Sequence, residues 1–282
     1  MFLVLISALA YAGGMVLDKI VLSIRKVNLL VYITVLFLFL FILTGILLFF
    51  PFSGQVEWGE ALKVGSLVLF FIMIALAMLA NYYFYRGMAK EQLQEVELIA
   101  MLTPIVTVLF AAATFADERK LTVLIPAIIG SGALIFAHLK KGHLQFSQYS
   151  AGLVWAVIFG AAESIFIKLL LQGAFPPFWL YFLRTGFIFI FFGLIFRPQI
   201  KKGDFKSFWL IAAAASTGVI YKVFMYYGYI NFGISYTTLV LILGSVLVFF
   251  AANQIFGERL LKRRIIAAII ILACIIYASF AG

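Results

Sequence analysis

Charge is scarce in this chain. Only 11% of its 282 residues are Asp, Glu, Lys or Arg, against about 25% in a soluble domain. A water-soluble fold of this size could not cover its surface with so few charges. Cysteine and histidine are scarcer still, at one and two residues. The lone Cys274 cannot close an intramolecular disulfide and reads as a small buried hydrophobe. His138 and His143 flank a basic loop with Lys140 and Lys141, and no spacing of His, Cys or carboxylate suggests a metal site. A P-loop, a nucleophile elbow and a dinucleotide fingerprint are all missing, so no cofactor and no nucleotide-driven chemistry are expected. Glu57 and Glu60, in a short loop, read as a solvated pair.

What fills the chain is apolar: 66% of residues are hydrophobic and the mean hydropathy is +1.17. The solvent that accepts such a surface is a bilayer. Lipid offers no hydrogen bonds, so only helices or closed barrels span it. A barrel would alternate over segments of about 10 residues. Here the apolar runs are continuous and roughly 18–25 residues long, the length of a spanning helix. The expected fold class is therefore all-α, with about ten transmembrane helices near 2–22, 29–50, 61–85, 95–115, 121–138, 150–170, 178–196, 207–229, 234–256 and 264–281. The first run starts at Phe2 without a basic leader or cleavage site and reads as a permanent helix.

The net charge of +10 would suggest nucleic acid in a soluble protein. Its carriers sit in short loops, so they read as topology signals facing anionic lipid. The odd-numbered loops hold 15 Lys and Arg and the even-numbered side four, with Arg184 and Lys222 inside the membrane. The positive-inside rule then puts both termini outside the cytoplasm, in a multi-pass protein of the plasma (cell inner) membrane.

Weak internal repeats recur in a common order. Phe115–Lys120 reads FADERK and Phe256–Lys262 reads FGERLLK, with Glu118-Arg119 and Glu258-Arg259 standing 140 positions apart. Tyr85-Arg86-Gly87 matches Tyr226-Tyr227-Gly228 at an offset of 141, and an offset of 149 aligns Gly13 with Ala162, Lys19 with Lys168 and Tyr32 with Tyr181. The chain thus reads as two five-helix halves, residues 1–141 and 150–282. Five is odd, so the second half enters the membrane upside down. Inverted repeats of this kind place a substrate site near the midplane between the halves.

The Glu-Arg turns (Asp117-Glu118-Arg119, Gly257-Glu258-Arg259), the Gly/Ala-rich helix with Gly130-Ser131-Gly132, and the Tyr-x-Gly stretch leading toward Leu102-Thr103-Pro104 resemble the EamA domain. Two such domains make up the ten-helix members of the drug/metabolite transporter superfamily, and the resemblance covers nearly the whole chain. It implies export or exchange of metabolites through a central cavity lined by helices 1, 3, 4, 6, 8 and 9. It also implies cytoplasmic termini, against the loop charges. Members often carry an Arg in the second helix of each half; Arg184 fits in the second half, whereas Val35 stands at that place in the first.

Ionisable groups in a bilayer core cost about 2.5–3.5 kcal/mol on the insertion scale, so they should face a cavity or each other. Glu163, Arg184 and Lys222 each stand about 20 Å from the same membrane face at 1.5 Å per residue, Arg184 being about 10 Å into a span that enters from the opposite face. They are expected to form one polar cluster with net positive charge, suited to a carboxylate, amino acid or phosphate-bearing metabolite; a structural ion pair is the alternative. Glu163 and Glu97 are candidates for a coupling proton. Tyr11, Trp155, Asn81, Tyr82, Tyr226 and Tyr227 are candidate cavity residues. Asp18, Lys19, Glu95 and Lys168 are expected to snorkel to an interface. Trp58, Trp179 and Trp209 read as interfacial anchors. The leading function is a secondary transporter working by alternating access, not an enzyme, with a small-molecule substrate, lipid around it and a proton or counter-solute as partner, in a monomer or homodimer. An integral-membrane enzyme acting on lipid would need clustered His, Asp or Glu. A channel would need a continuous polar stripe.

Overall fold

The structure, a computed structural model, describes residues 1–91, 93–100, 102–138, 148–199 and 207–256, with 266, 269, 270, 272–274 and 276–278 near the C-terminus. Among the described residues every regular element is helical, which bears out the helical class. The second Glu-Arg turn, at 258–259, lies outside the described residues.

Helix α1 (Phe2–Lys19) loosens into a π-helical turn, Ile20–Ile24. The Asn28 side chain then accepts the Leu30 N–H at 2.9 Å and opens α2 (Leu29–Leu47), as an N-cap does. After the short α3 (Trp58–Ala61) comes α4 (Val64–Lys90). The sequence predicts one helix over 95–115. The structure describes helix on either side of residue 101, as α5 (Leu93–Ala100) and α6 (Leu102–Thr114). Next come α7 (Leu121–His138), α8 (Gln148–Gly173) and α9 (Pro177–Phe196), which starts on a proline that needs no N–H partner.

The last long element, α10 (Phe208–Phe256), is continuous except at Gly233, where φ is 83°. The chain doubles back there. A Cβ on Gly228 would lie 2.6 Å from the Thr237 side chain, whereas residues nine apart in a straight helix are separated by about 13 Å at 1.5 Å per residue. The expected spans at 207–229 and 234–256 are thus the two arms of α10.

Among the described residues six helical stretches are long and apolar enough to cross a membrane, and Leu102–Thr114 and Leu121–Gly130 are shorter apolar helices. Together with the apolar side chains exposed on their outer faces, such as Leu9, Ile72, Leu194 and Ile220, they define a helical membrane protein. Three pairings build its interior: α1 against α10, α4 against α8, and α2 against α9. Between them lies the cavity described next.

Candidate functional site

A cavity of about 260 Å³ opens among α1, α2, α4, α6, α8, α9 and α10. The wall is mostly aromatic and aliphatic, with charged groups at Asp18, Glu163, Arg184 and Lys222. Lipid-facing helices gain nothing from a charge, so each of these groups must be held from within.

Glu163 and Arg184 hold each other. Arg184 Nε donates to Glu163 Oε1 at 2.5 Å, and the two residues are only 3% and 4% exposed for Arg and Glu respectively. The guanidinium also lies 5.9 Å from the Tyr181 ring centroid. Lys222 reaches the same cavity, with Nζ 5.1 Å from the centre of the Tyr221 ring. No carboxylate of the described residues is within ion-pairing distance of it. The three charges that the sequence brings together are therefore close neighbours around one chamber.

Of the other candidates, Tyr11 and Asn81 line the cavity. Tyr11 Oη is 3.3 Å from both oxygens of Glu97. Glu97 itself is wholly buried and sits behind Tyr11, beside Ser245, not in the cavity wall. Asn81 Nδ2 donates back to the Ala77 carbonyl at 2.7 Å.

Four candidates lie elsewhere. Trp155 is 52% exposed and stacks on Phe159 at 5.6 Å, on the outer face of α8. Tyr82 turns toward Tyr83 and does not line the cavity. Tyr226 is fully buried behind the wall, edge-on to Tyr181 at 5.9 Å. Tyr227 packs on Phe178 instead. The helices are apolar on all sides, so the sequence carries no stripe that tells inner from outer faces.

The expectation that Asp18, Lys19 and Lys168 snorkel is overturned. All three are buried. Asp18 lines the cavity and accepts the Tyr32 hydroxyl. Lys19 donates to the carbonyls of Met88, at 3.0 Å, and Glu91. Lys168, 2% exposed, pairs with Glu118 at 2.6 Å and Asp117 at 2.9 Å. Glu118 in turn accepts the N–H groups of Ile234 and Ser235 at 2.6 and 2.9 Å. A Cβ on Gly233 would come within 2.7 Å of the same carboxylate. Thr107, also in the cavity wall, has a buried hydroxyl without a partner among the described residues. The Glu-Arg turn was visible in sequence as a repeat, but its contact with Gly233 is long-range. Glu57 and Glu60 are solvated as expected, Glu60 pairing with Lys63 at the surface. Trp58 and Trp209 are exposed, in keeping with an interfacial place.

No protein-family profile matches the chain, and no curated protein does. A solved crystal structure of a protein superposes on it with a TM-score of 0.64, over 98% of this chain and 96% of the other, at 16% sequence identity. At that identity the likeness shows a shared fold over the full length.

Proposed function

We propose that this protein is a secondary carrier, of the EamA type, that moves small polar metabolites bearing a carboxylate or other anionic group across the plasma membrane. Its ten spans form two inverted halves, and alternating access operates at the cavity between them. The observation that carries the proposal is a membrane-embedded cavity whose wall holds the Glu163–Arg184 pair beside Lys222. A cluster with no function other than packing would gain little from a Lys left to face a cavity.

The inverted halves draw support from paired contacts at the sequence offsets. Tyr32 meets Tyr85 edge-on at 5.3 Å, and their counterparts 149 and 141 positions on, Tyr181 and Tyr226, meet edge-on at 5.9 Å. Gly87 lies against Leu153; the counterparts, Gly228 and Val4, lie against each other with a Cβ distance of 3.0 Å. Contacts that recur with the halves exchanged are what a two-fold axis in the membrane plane produces. The charges do not recur. Gly14, Val35 and Asn81 stand at the counterparts of Glu163, Arg184 and Lys222. The substrate site is therefore asymmetric, with Lys222 and Arg184 as the anion-facing side.

Carriage of an amino-acid mixture and of a dicarboxylate mixture by purified protein in liposomes tests the reading. Saturation and counterflow separate a carrier from a channel. Glu163→Gln, Arg184→Ala and Lys222→Ala are expected to cut flux at least tenfold each. Near-normal flux in all three overturns the site, and linear, non-saturating flux overturns the carrier.

A further inference from the structure

We infer that Asp18 is the group that takes up and releases a coupling proton during the transport cycle, an inference that rests on the carrier reading above. Among the described residues three buried carboxyls, Asp18, Glu97 and Glu163, stand in or beside the cavity, and their partners differ. Glu163 is held by Arg184 at 2.5 Å, so protonating it would strand a buried guanidinium. Glu97 lies behind Tyr11, outside the wall. Asp18 alone of the three is in the wall and paired with a neutral donor, the Tyr32 hydroxyl.

Among the described residues no cation forms an ion pair with the Asp18 carboxylate, whose hydrogen bond comes from the Tyr32 hydroxyl. The adjacent cation, Lys19, is directed to the Met88 and Glu91 carbonyls. From α2 the facing group is Tyr32, and from α4 it is Tyr85, whose phenol lies within electrostatic reach of both Asp18 and Arg184. Across the cavity stand Glu163 and Arg184, already paired, and Lys222 against Tyr221. Ionised, Asp18 is a buried charge with one neutral hydrogen bond; protonated, it is a neutral group that keeps its neighbour. A carboxyl with both forms open to it, and with a path to cavity water, is what proton exchange requires. The step is simple: a carboxylate oxygen accepts a proton from water on one side and returns it to water on the other. No other bond forms or breaks.

The position also separates the two cargoes. Asp18 is the second-last residue of α1, whereas Lys222 lies in the middle of the first arm of α10. A proton at Asp18 and an anion at Lys222 can thus be bound at the same time, and the proton's charge offsets that of the solute. The sequence expectation of net positive charge in the cluster changes accordingly: with Asp18 ionised, the four wall charges cancel, and with Asp18 protonated the wall is positive.

Infrared difference spectra of the protein in liposomes, taken across a pH step with no solute, test the assignment directly. The wild type is expected to show a carboxylic-acid carbonyl band on acidification, in a step kept well above the usual carboxylate value of about 4 so that solvent-exposed carboxyls stay ionised. The band should be lost in Asp18→Asn, which keeps an acceptor for Tyr32, and retained in Glu163→Gln. Tyr32→Phe should shift the pH at which it appears without removing it. A band absent from the wild type, or surviving Asp18→Asn, or lost in Glu163→Gln instead, overturns the proposal. A second measurement uses liposomes loaded with a pH-sensitive dye and given the amino-acid and dicarboxylate mixtures. Solute-dependent proton movement is expected in the wild type and should fall at least tenfold in Asp18→Asn. Solute flux without proton movement overturns the coupling and leaves the carrier standing. A normal infrared pattern with no flux of any solute overturns the carrier and leaves Asp18 as a protonating group.

Discussion

Lys168 Nζ lies 2.6 Å from Glu118 Oε1, and the same carboxylate receives the backbone N–H groups of Ile234 and Ser235. One carboxylate therefore ties the turn after α6 to the C-terminal part of α8 and to the bend in α10. Three segments far apart in the chain share one buried charge.

Removing one member of a buried ion pair strands the other and costs about 3–5 kcal/mol. Lys168→Met and Glu118→Ala are each expected to lower stability by that order in detergent unfolding titrations. The double variant should lose less than the sum, because neither single change then leaves a charge alone. Additive losses would show that the two side chains do not depend on each other.

Asp117, on the exposed side of the same lysine, responds to pH. The hydrogen bond from Lys168 holds its carboxyl below the usual carboxylate value. A folded-state value below the unfolded one adds stability above the unfolded value of about 4, and that contribution fades as pH falls further, through the folded value. Asp117→Asn should thus lower the unfolding temperature slightly at pH 7 and leave it unchanged at about pH 2, with the difference small because the group is solvent-exposed. An equal effect at both pH values would rule out the ion pair as the cause.

Gly87 allows α4 and α8 to touch. A Cβ there would sit 2.5 Å from Leu153 Cγ, closer than the flexible tip of that side chain can relieve. Gly87→Ala is expected to cost about 1–3 kcal/mol through overpacking. Leu153→Ala in the same chain should recover part of it, with a coupling of about 0.5–3 kcal/mol in a double-mutant cycle. No recovery would mean that the strain lies in the backbone and not in that contact.

Neighbouring candidate residues should separate by function. Trp155 faces outward, so Trp155→Ala is expected to leave flux within about twofold of wild type. On the proposed carrier reading, Lys222→Gln should raise the half-saturating solute concentration at least tenfold, because Lys222 would meet the solute's anionic group as a point charge. Equal effects of the two changes would put the transported solute somewhere other than this cavity.

The sequence made the class and the deep charges legible for one reason. In lipid a charge has nowhere to hide, so Glu163, Arg184 and Lys222 announce themselves by position alone. Charges near helix ends are ambiguous, because the same residue either snorkels or turns inward. Asp18 and Lys168 turn inward, and only packing against α2, α4 and the turn after α6 reveals it. Helix faces were ambiguous too. Asn81 lines the cavity while Tyr82, about 100° further round the helix, does not. With apolar side chains on every face, periodicity offers no way to tell the two apart. The bend at Gly233 was readable as a gap between two spans, but its dependence on Glu118 was not, since 115 residues separate them.

That dependence bears on how the chain is made. The amides that begin the second arm of α10 are capped by a carboxylate synthesised more than a hundred residues earlier, and the lysine that neutralises it belongs to α8. Residues 150–282 expressed alone would enter the bilayer without the group that finishes this hairpin. Supplying residues 1–141 as a separate polypeptide should restore it, an outcome that would make the two stretches complementary fragments and not independent folding units.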